Sequence, residues 1–248
     1  MVRGLDVFRS FFAAYSGQYV LIGGTAASLA MDEAGLAFRS TKDLDIVLHV
    51  EAMSAEFGHA LWSFVENGGY RIRESNSGKP NFYRFEKPSD DTFPAMLELF
   101  SRAPDGLKLP GGCHLSPIRI DKDISSLSAI LLDDAYYHFV MSQRKETGGL
   151  SWVGAECLIP LKAIAWLELS TRKESGEPVD SKVVNKHRKD VIQLSQLLVP
   201  AQRVEVAAKI YGHLSSFLNR LDGDASVNRK QAEEVIDRIT QVYISTEA

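Results

Sequence analysis

Apolar side chains recur at helical spacing over residues 5 to 15 (Leu5, Phe8, Phe12, Tyr15) and stop at Gly17, which predicts a short opening helix closed near its C-cap. The continuous run YVLI that follows is β-rich and ends at Gly23-Gly24, so it reads as a buried strand. The Ala-rich TAASLAMDEAG then predicts a helix with Thr25 as cap and Gly35 as stop. DLDIVLHV reads as a second buried strand, and AEFGHALWSFVENGG as a helix whose apolar positions return every three or four residues. Further strands are expected at YRIRES, NFYRFEK, AMLELFS and PIRI, with a hairpin of YYHFVMSQ and LSWVGAE about Gly148-Gly149.

After about residue 155 the period becomes helical. Four helices are predicted, from IPLKAIAWLELSTRK, DSKVVNKHRKDVIQLSQLL, PAQRVEVAAKIYGHLSSFLNRL and NRKQAEEVIDRITQVYIS, with ESGEPVDS as a surface loop between the first two. The expected fold class is α/β (α+β), with a mixed-sheet domain over residues 1–155 and a helical domain over 156–248.

Composition narrows the function classes. With 28 basic against 32 acidic residues the net charge is -4, which excludes a surface that coats nucleic acid broadly and leaves room only for a local basic groove. Only Cys113 and Cys157 are present, far apart and outside any Cys/His cluster, so both read as buried thiols of a reduced compartment. Six histidines (His49, His59, His114, His138, His187, His213) show no metal spacing. The first 20 residues are broken by Asp6 and Arg9, and no apolar run reaches a membrane span. The cytoplasm is the expected location.

Candidate chemistry concentrates around the first two strands. Side chains at i and i+2 of a strand face the same way, so Asp43 and Asp45 project together with Cα atoms about 7 Å apart. Two carboxylates on one face repel each other, and a cation between them relieves the cost. Mg²⁺ suits hard oxygen ligands and keeps part of its shell for substrate phosphates. Gly23 and Gly24, in a turn leading into a helix N-terminus, offer peptide N–H groups and a helix dipole to phosphate, and Thr25 adds a hydroxyl. Together these describe a site for a nucleoside triphosphate with Mg²⁺. The GG pair lacks the spacing of a Walker loop or of GxGxxG. A third acid, Glu98, is the only charge in the apolar run of AMLELFS; it joins the pair if that strand neighbours DLDI, and faces water if the strand is an edge.

These residues resemble the nucleotidyltransferase superfamily of polymerase-β-like fold, whose pattern is a GG or GS turn, a helix, a Dh[DE]h strand and a later third acid. More narrowly, IGGTAASLA followed by FRSTKDLDIVL resembles the AbiEii-type branch, toxins of bacterial toxin–antitoxin and phage-defence modules, where Arg39, Thr41, Asp43 and Asp45 stand in an RxTxDLD signature. The resemblance implies two Mg²⁺ ions held by Asp43, Asp45 and Glu98, with Glu98 also accepting the acceptor's proton. It implies nucleotide contacts from Gly23, Gly24, Thr25, Arg39, Thr41 and Lys162 of IPLKAIAWLEL, with Arg188 and Asp190 of KHRKDVIQL on the next helix. Lys42 is a further candidate for positioning donor or acceptor.

The implied reaction moves a nucleoside monophosphate from an NTP to an acceptor hydroxyl, with a tRNA 3′ end as the acceptor and a cognate antitoxin as partner. Within the same fold the acceptor could instead be a small molecule or a protein side chain, and an idle nucleotide- or partner-binding module is the reading from another class. An RNA backbone would meet Lys182, Lys186, Arg188 and Lys189 together with Arg71, Arg73, Lys79, Arg84 and Lys87. The plain alternatives are a snorkelling Lys162 and a solvated KHRKD face.

Overall fold

A computed structural model describes residues 2–49, 51–74, 80–100 and 133–246, with the side chains of 72–83 excepted. Lys79, Cys113, His114 and the expected strand PIRI lie outside the described residues. The chain is mixed α/β and divides into two compact units, one within residues 1–124 and 140–153, the other within 125–139 and 154–248.

The first unit is built on a seven-stranded sheet in the order β3-β4-β5-β2-β1-β7-β6. Its strands are β1 (Tyr19–Ile22), β2 (Asp43–Leu48), β3 (Arg71–Glu74), β4 (Pro80–Glu86), β5 (Met96–Phe100), β6 (Arg144–Thr147) and β7 (Leu150–Val153). Strand β2 runs antiparallel to β1 and parallel to β5, while β1 runs parallel to β7. Three helices belong wholly to this unit: α1 (Leu5–Phe12), α2 (Gly23–Glu33) and α3 (Ala55–Asn67), the last capped by Ser54, whose hydroxyl accepts from the Phe57 N–H.

Alternation along the strands sorts the two faces of the sheet. Tyr19 meets Phe8 and Phe57 in ring contacts of 5.3 and 6.5 Å between centroids, and Phe8 meets Phe64 at 5.7 Å, so α1 and α3 cover the face that carries Tyr19. Tyr19 lies opposite Leu48, so Leu48, Ile46 and Leu44 share that aromatic face, and all are buried. Asp43 and Asp45 must therefore point to the other side. Burial of the apolar face locks this register, because a one-residue slip of β2 would drive both carboxylates into the aromatic core.

The second unit holds α5 (Ala155–Glu174), α6 (Ser181–Leu194), α7 (Ala208–Asp222) and α8 (Arg229–Val242). It also holds a two-stranded parallel ribbon, β8 (Val204–Ala207) with β9 (Tyr243–Thr246), where helix alone is expected from the sequence. Val204 and Val206 are buried while Glu205 is exposed, a two-residue period short enough to be lost in the helical pattern around it. A second difference is α4 (Asp134–Ser142), which replaces the expected strand YYHFVMSQ. Its aromatic content favours a strand, but Tyr136, Tyr137, Phe139 and Val140 are the buried positions, at helical spacing. The Tyr136 hydroxyl lies 2.8 Å from His213 Nδ1 on α7. The hairpin about Gly148-Gly149 forms from β6 and β7 instead.

Helix α5 carries Pro160 in its interior, which can donate no hydrogen bond to the carbonyl of Glu156 four residues back. The Tyr243 hydroxyl, arriving from β9, donates to that carbonyl at 2.7 Å. Burial pushes the Tyr243 phenol well above its usual pKa, so it stays a donor at any working pH. Tyr243→Phe would leave the carbonyl buried and unsatisfied, and chemical denaturation should read a loss of about 1–3 kcal/mol.

Candidate active site

Strand β1 ends where Gly23 turns the chain into α2 with φ of 65°, a left-handed conformation that a glycine adopts without strain. The helix begins at the glycines rather than after Thr25, and the Thr25 hydroxyl donates instead to the Asp43 carbonyl at 2.9 Å, tying α2 to the start of β2. The Asp45 carboxylate lies directly against the turn: a Cβ built on Gly23 would fall 1.7 Å from Asp45 Oδ2. A carboxylate at a helix N-terminus is attracted by the exposed N–H groups and the helix dipole. At Gly24 a Cβ would stand 2.7 Å from Thr41 Oγ1 and 3.5 Å from the Arg39 guanidinium. Arg39 also stacks 5.2 Å above the Phe38 ring.

Six sequence candidates thus meet at one turn: Gly23, Gly24, Thr25, Arg39, Thr41 and Asp45. An open pocket of about 500 Å³ reaches Thr41 from the start of α1, with Arg3, Asp6, Val7, Lys42 and Thr92 among its lining residues. The close fit gives a direct prediction. Gly23→Ala forces a left-handed alanine and displaces Asp45, which should cost about 2 kcal/mol in thermal unfolding.

The third acid lies on the neighbouring strand. Asp45 pairs in register with Glu98 of β5, so Asp43, Asp45 and Glu98 share one face of the sheet and all three are partly exposed. Glu98 is not turned to the aspartates alone. Arg84 of β4, opposite Glu98 in the ladder, makes an ion pair with its carboxylate, and the two side chains are 15% and 12% exposed. Among the described residues no group of three His, Cys, Asp or Glu side chains is gathered closely enough to hold a metal ion. The hard oxygens that suit Mg²⁺ on this face are those of Asp43 and Asp45.

The Arg84–Glu98 pair was not foreseen, since Arg84 reads in sequence as a surface cation for RNA. The signal is the antiparallel pairing of NFYRFEK with AMLELFS, which sets Arg84 across from Glu98.

The remaining candidates lie in the second unit. Lys162 of α5 is 2.9 Å from Asp190 of α6, with side chains 6% and 1% exposed, so it is a buried ion pair and not a snorkelling surface residue. Arg188 pairs with Asp224 and donates to the Ser226 hydroxyl at 2.8 Å. That position is buried, whereas Lys182, Lys186 and Lys189 of the same helix are not. No helix among the described residues is long and apolar enough to cross a membrane.

Neither the family models nor the curated proteins include a match to this chain. Among solved structures, an antigenic nucleotidyltransferase-like protein from Paracoccidioides brasiliensis is similar at 16% identity and a TM-score of 0.48, over 92% of this chain and 93% of that one. At that level the likeness carries no functional argument, and the chemistry of the glycine turn has to stand on its own residues.

Proposed function

We propose that the chain is a nucleotidyltransferase that moves a nucleoside monophosphate from an NTP to an acceptor hydroxyl. The single observation behind this is the turn itself: Gly23 and Gly24 open a helix N-terminus with the Asp45 carboxylate packed against Gly23 and Thr41 with Arg39 beside Gly24. Backbone N–H groups there suit phosphate oxygens, and the adjacent carboxylates of β2 suit the cation that accompanies them. The motif resemblance through Asp43 and Asp45 points the same way.

In this reading Gly23 and Gly24 hold the β- and γ-phosphates, while Arg39 and Thr41 fix the triphosphate from above. Asp43 and Asp45 would hold Mg²⁺, which when bound offsets triphosphate charge and lowers the pKa of the attacking hydroxyl. The acceptor oxygen bonds to the α-phosphorus as the bond to pyrophosphate breaks, and the hydroxyl proton passes to a carboxylate of the same face. A tRNA 3′ end as acceptor, a toxin role and a cognate antitoxin follow from the AbiEii-type resemblance alone.

The test is transfer of label from α-phosphate-labelled NTPs, with Mg²⁺, to total RNA, to protein and to small molecules, separated by size. Labelled RNA of tRNA length supports the full reading, and labelled protein or small molecule redirects the acceptor. Absence of label in every fraction, with each of the four NTPs, overturns it.

A further inference from the structure

We propose that Thr25 is a positioning residue that couples the two halves of this site: its hydroxyl holds the glycine turn against the carboxylate strand and grips no phosphate. The inference rests on the nucleotidyltransferase reading and revises it, since the resemblance gives Thr25 a nucleotide contact. The two halves belong to different elements. Gly23 and Gly24 open α2, whereas Asp43 and Asp45 project from β2. The ladder between β1 and β2 ends where Ile22 lies opposite Asp45, because the chain leaves β1 for α2 at Gly23. The Asp43 carbonyl, beyond that last pair, accepts from the Thr25 hydroxyl at 2.9 Å.

A threonine hydroxyl has a single proton to donate, and this one is committed to Asp43. Thr25 is wholly buried on α2, where a β-branched side chain has few rotamers. Turning the hydroxyl to a phosphate would strip the carbonyl of its donor. Asp45 already packs on Gly23, so the bond at Asp43 is a second point of attachment between turn and strand. One point sets a distance, and two also set an angle. Groups in such a site have to be held within about 0.5 Å, so the angle matters. A nucleotide on the turn and a divalent ion on the carboxylates then each meet the other's half in place, and by linkage each tightens the other.

Calorimetry reads that coupling as the factor by which saturating Mn²⁺ tightens binding of a non-hydrolysable NTP analogue, taken for each of the four NTPs in turn. Thr25→Val keeps the shape and removes the donor. It should lower the factor about tenfold and change binding of the analogue without divalent ion by less than about twofold. Thr25→Ser restores the donor and should return most of the coupling.

Weaker ion-free binding in Thr25→Val with the factor intact would make Thr25 a phosphate contact and overturn the proposal, as would a variant unchanged in both. A factor that stays low in Thr25→Ser assigns the loss to packing of the methyl group and overturns it too. Each of these leaves the nucleotidyltransferase reading in place. Should Thr25→Val fail to fold, crystals of the unaltered protein with analogue and Mn²⁺ decide. The Thr25 hydroxyl is expected on the Asp43 carbonyl, and a hydroxyl turned to a phosphate oxygen contradicts the proposal. No binding of any analogue, with or without Mn²⁺, overturns the nucleotidyltransferase reading itself, and this proposal with it.

Discussion

Asp43→Ala and Asp45→Ala are each expected to lower nucleotide transfer by about 10³-fold, roughly 4 kcal/mol of transition-state stabilisation. Thermal stability should not fall with it. Both carboxylates are partly exposed on one face of β2, and Asp45 lies beside Glu98 in register. Removing one of two adjacent like charges relieves repulsion, while the attraction of Asp45 to the N–H groups that open α2 is lost, so Asp45→Ala should melt close to the temperature of the unaltered protein. An activity loss without a stability loss is the signature of residues retained for chemistry, because destabilised sites are where function and folding conflict. Calorimetry alongside the label-transfer assay separates the two. A variant that loses both together would mean that the carboxylates serve the fold.

The largest stability effect is expected in the second unit. Lys162 and Asp190 form an ion pair with both side chains almost wholly removed from water. Their attraction must offset the desolvation of two charges, and deleting one partner strands the other in a place that cannot hydrate it. Asp190→Ala should therefore cost about 3–5 kcal/mol. For a chain of this size that is a fall in Tm of roughly 6–20 °C.

The double variant Lys162→Met with Asp190→Leu removes both charges and keeps the volume, so it should recover most of the loss. Its transfer activity then reads what Lys162 does besides pairing. A stable but inactive double variant gives Lys162 a part in transfer, and a stable and active one confines it to the ion pair. If instead Asp190→Ala melts like the unaltered protein, the pair is not the structural element that its burial implies.

How much of this was legible in the sequence depended on range. The glycine turn after YVLI, the alternation that puts Asp43 and Asp45 on one face, and the strand that carries Glu98 are local patterns, and the structure has β1, β2 and β5 there. Neighbouring positions carry such information because strand period and turn chemistry act over a few residues. What the local pattern could not supply were the partners.

Arg84 becomes Glu98's counter-ion only once β4 and β5 pair, and Lys162 meets Asp190 only once α5 packs on α6. The same limit explains the misread elements. The aromatic run at Tyr136 and Tyr137 favours strand by composition, yet it forms α4, in which Tyr136, Tyr137, Phe139 and Val140 are buried at helical spacing. Val204 to Ala207 pairs with a strand that starts 39 positions later, at Tyr243, so nothing near it in sequence announces a ribbon. Pro160 is a similar case, because the hydroxyl that satisfies the carbonyl it orphans comes from Tyr243.

The central claim is that the turn at Gly23 and Gly24 grips the phosphates of a nucleotide whose cation is held by Asp43 and Asp45. Crystals soaked with Mn²⁺ and a non-hydrolysable NTP test it most directly, since anomalous scattering locates the metal without ambiguity. The account predicts Mn²⁺ within ligand distance of both aspartates and terminal phosphates on the backbone N–H groups that open α2. Nucleotide bound elsewhere, or Mn²⁺ distant from Asp43 and Asp45, would contradict it.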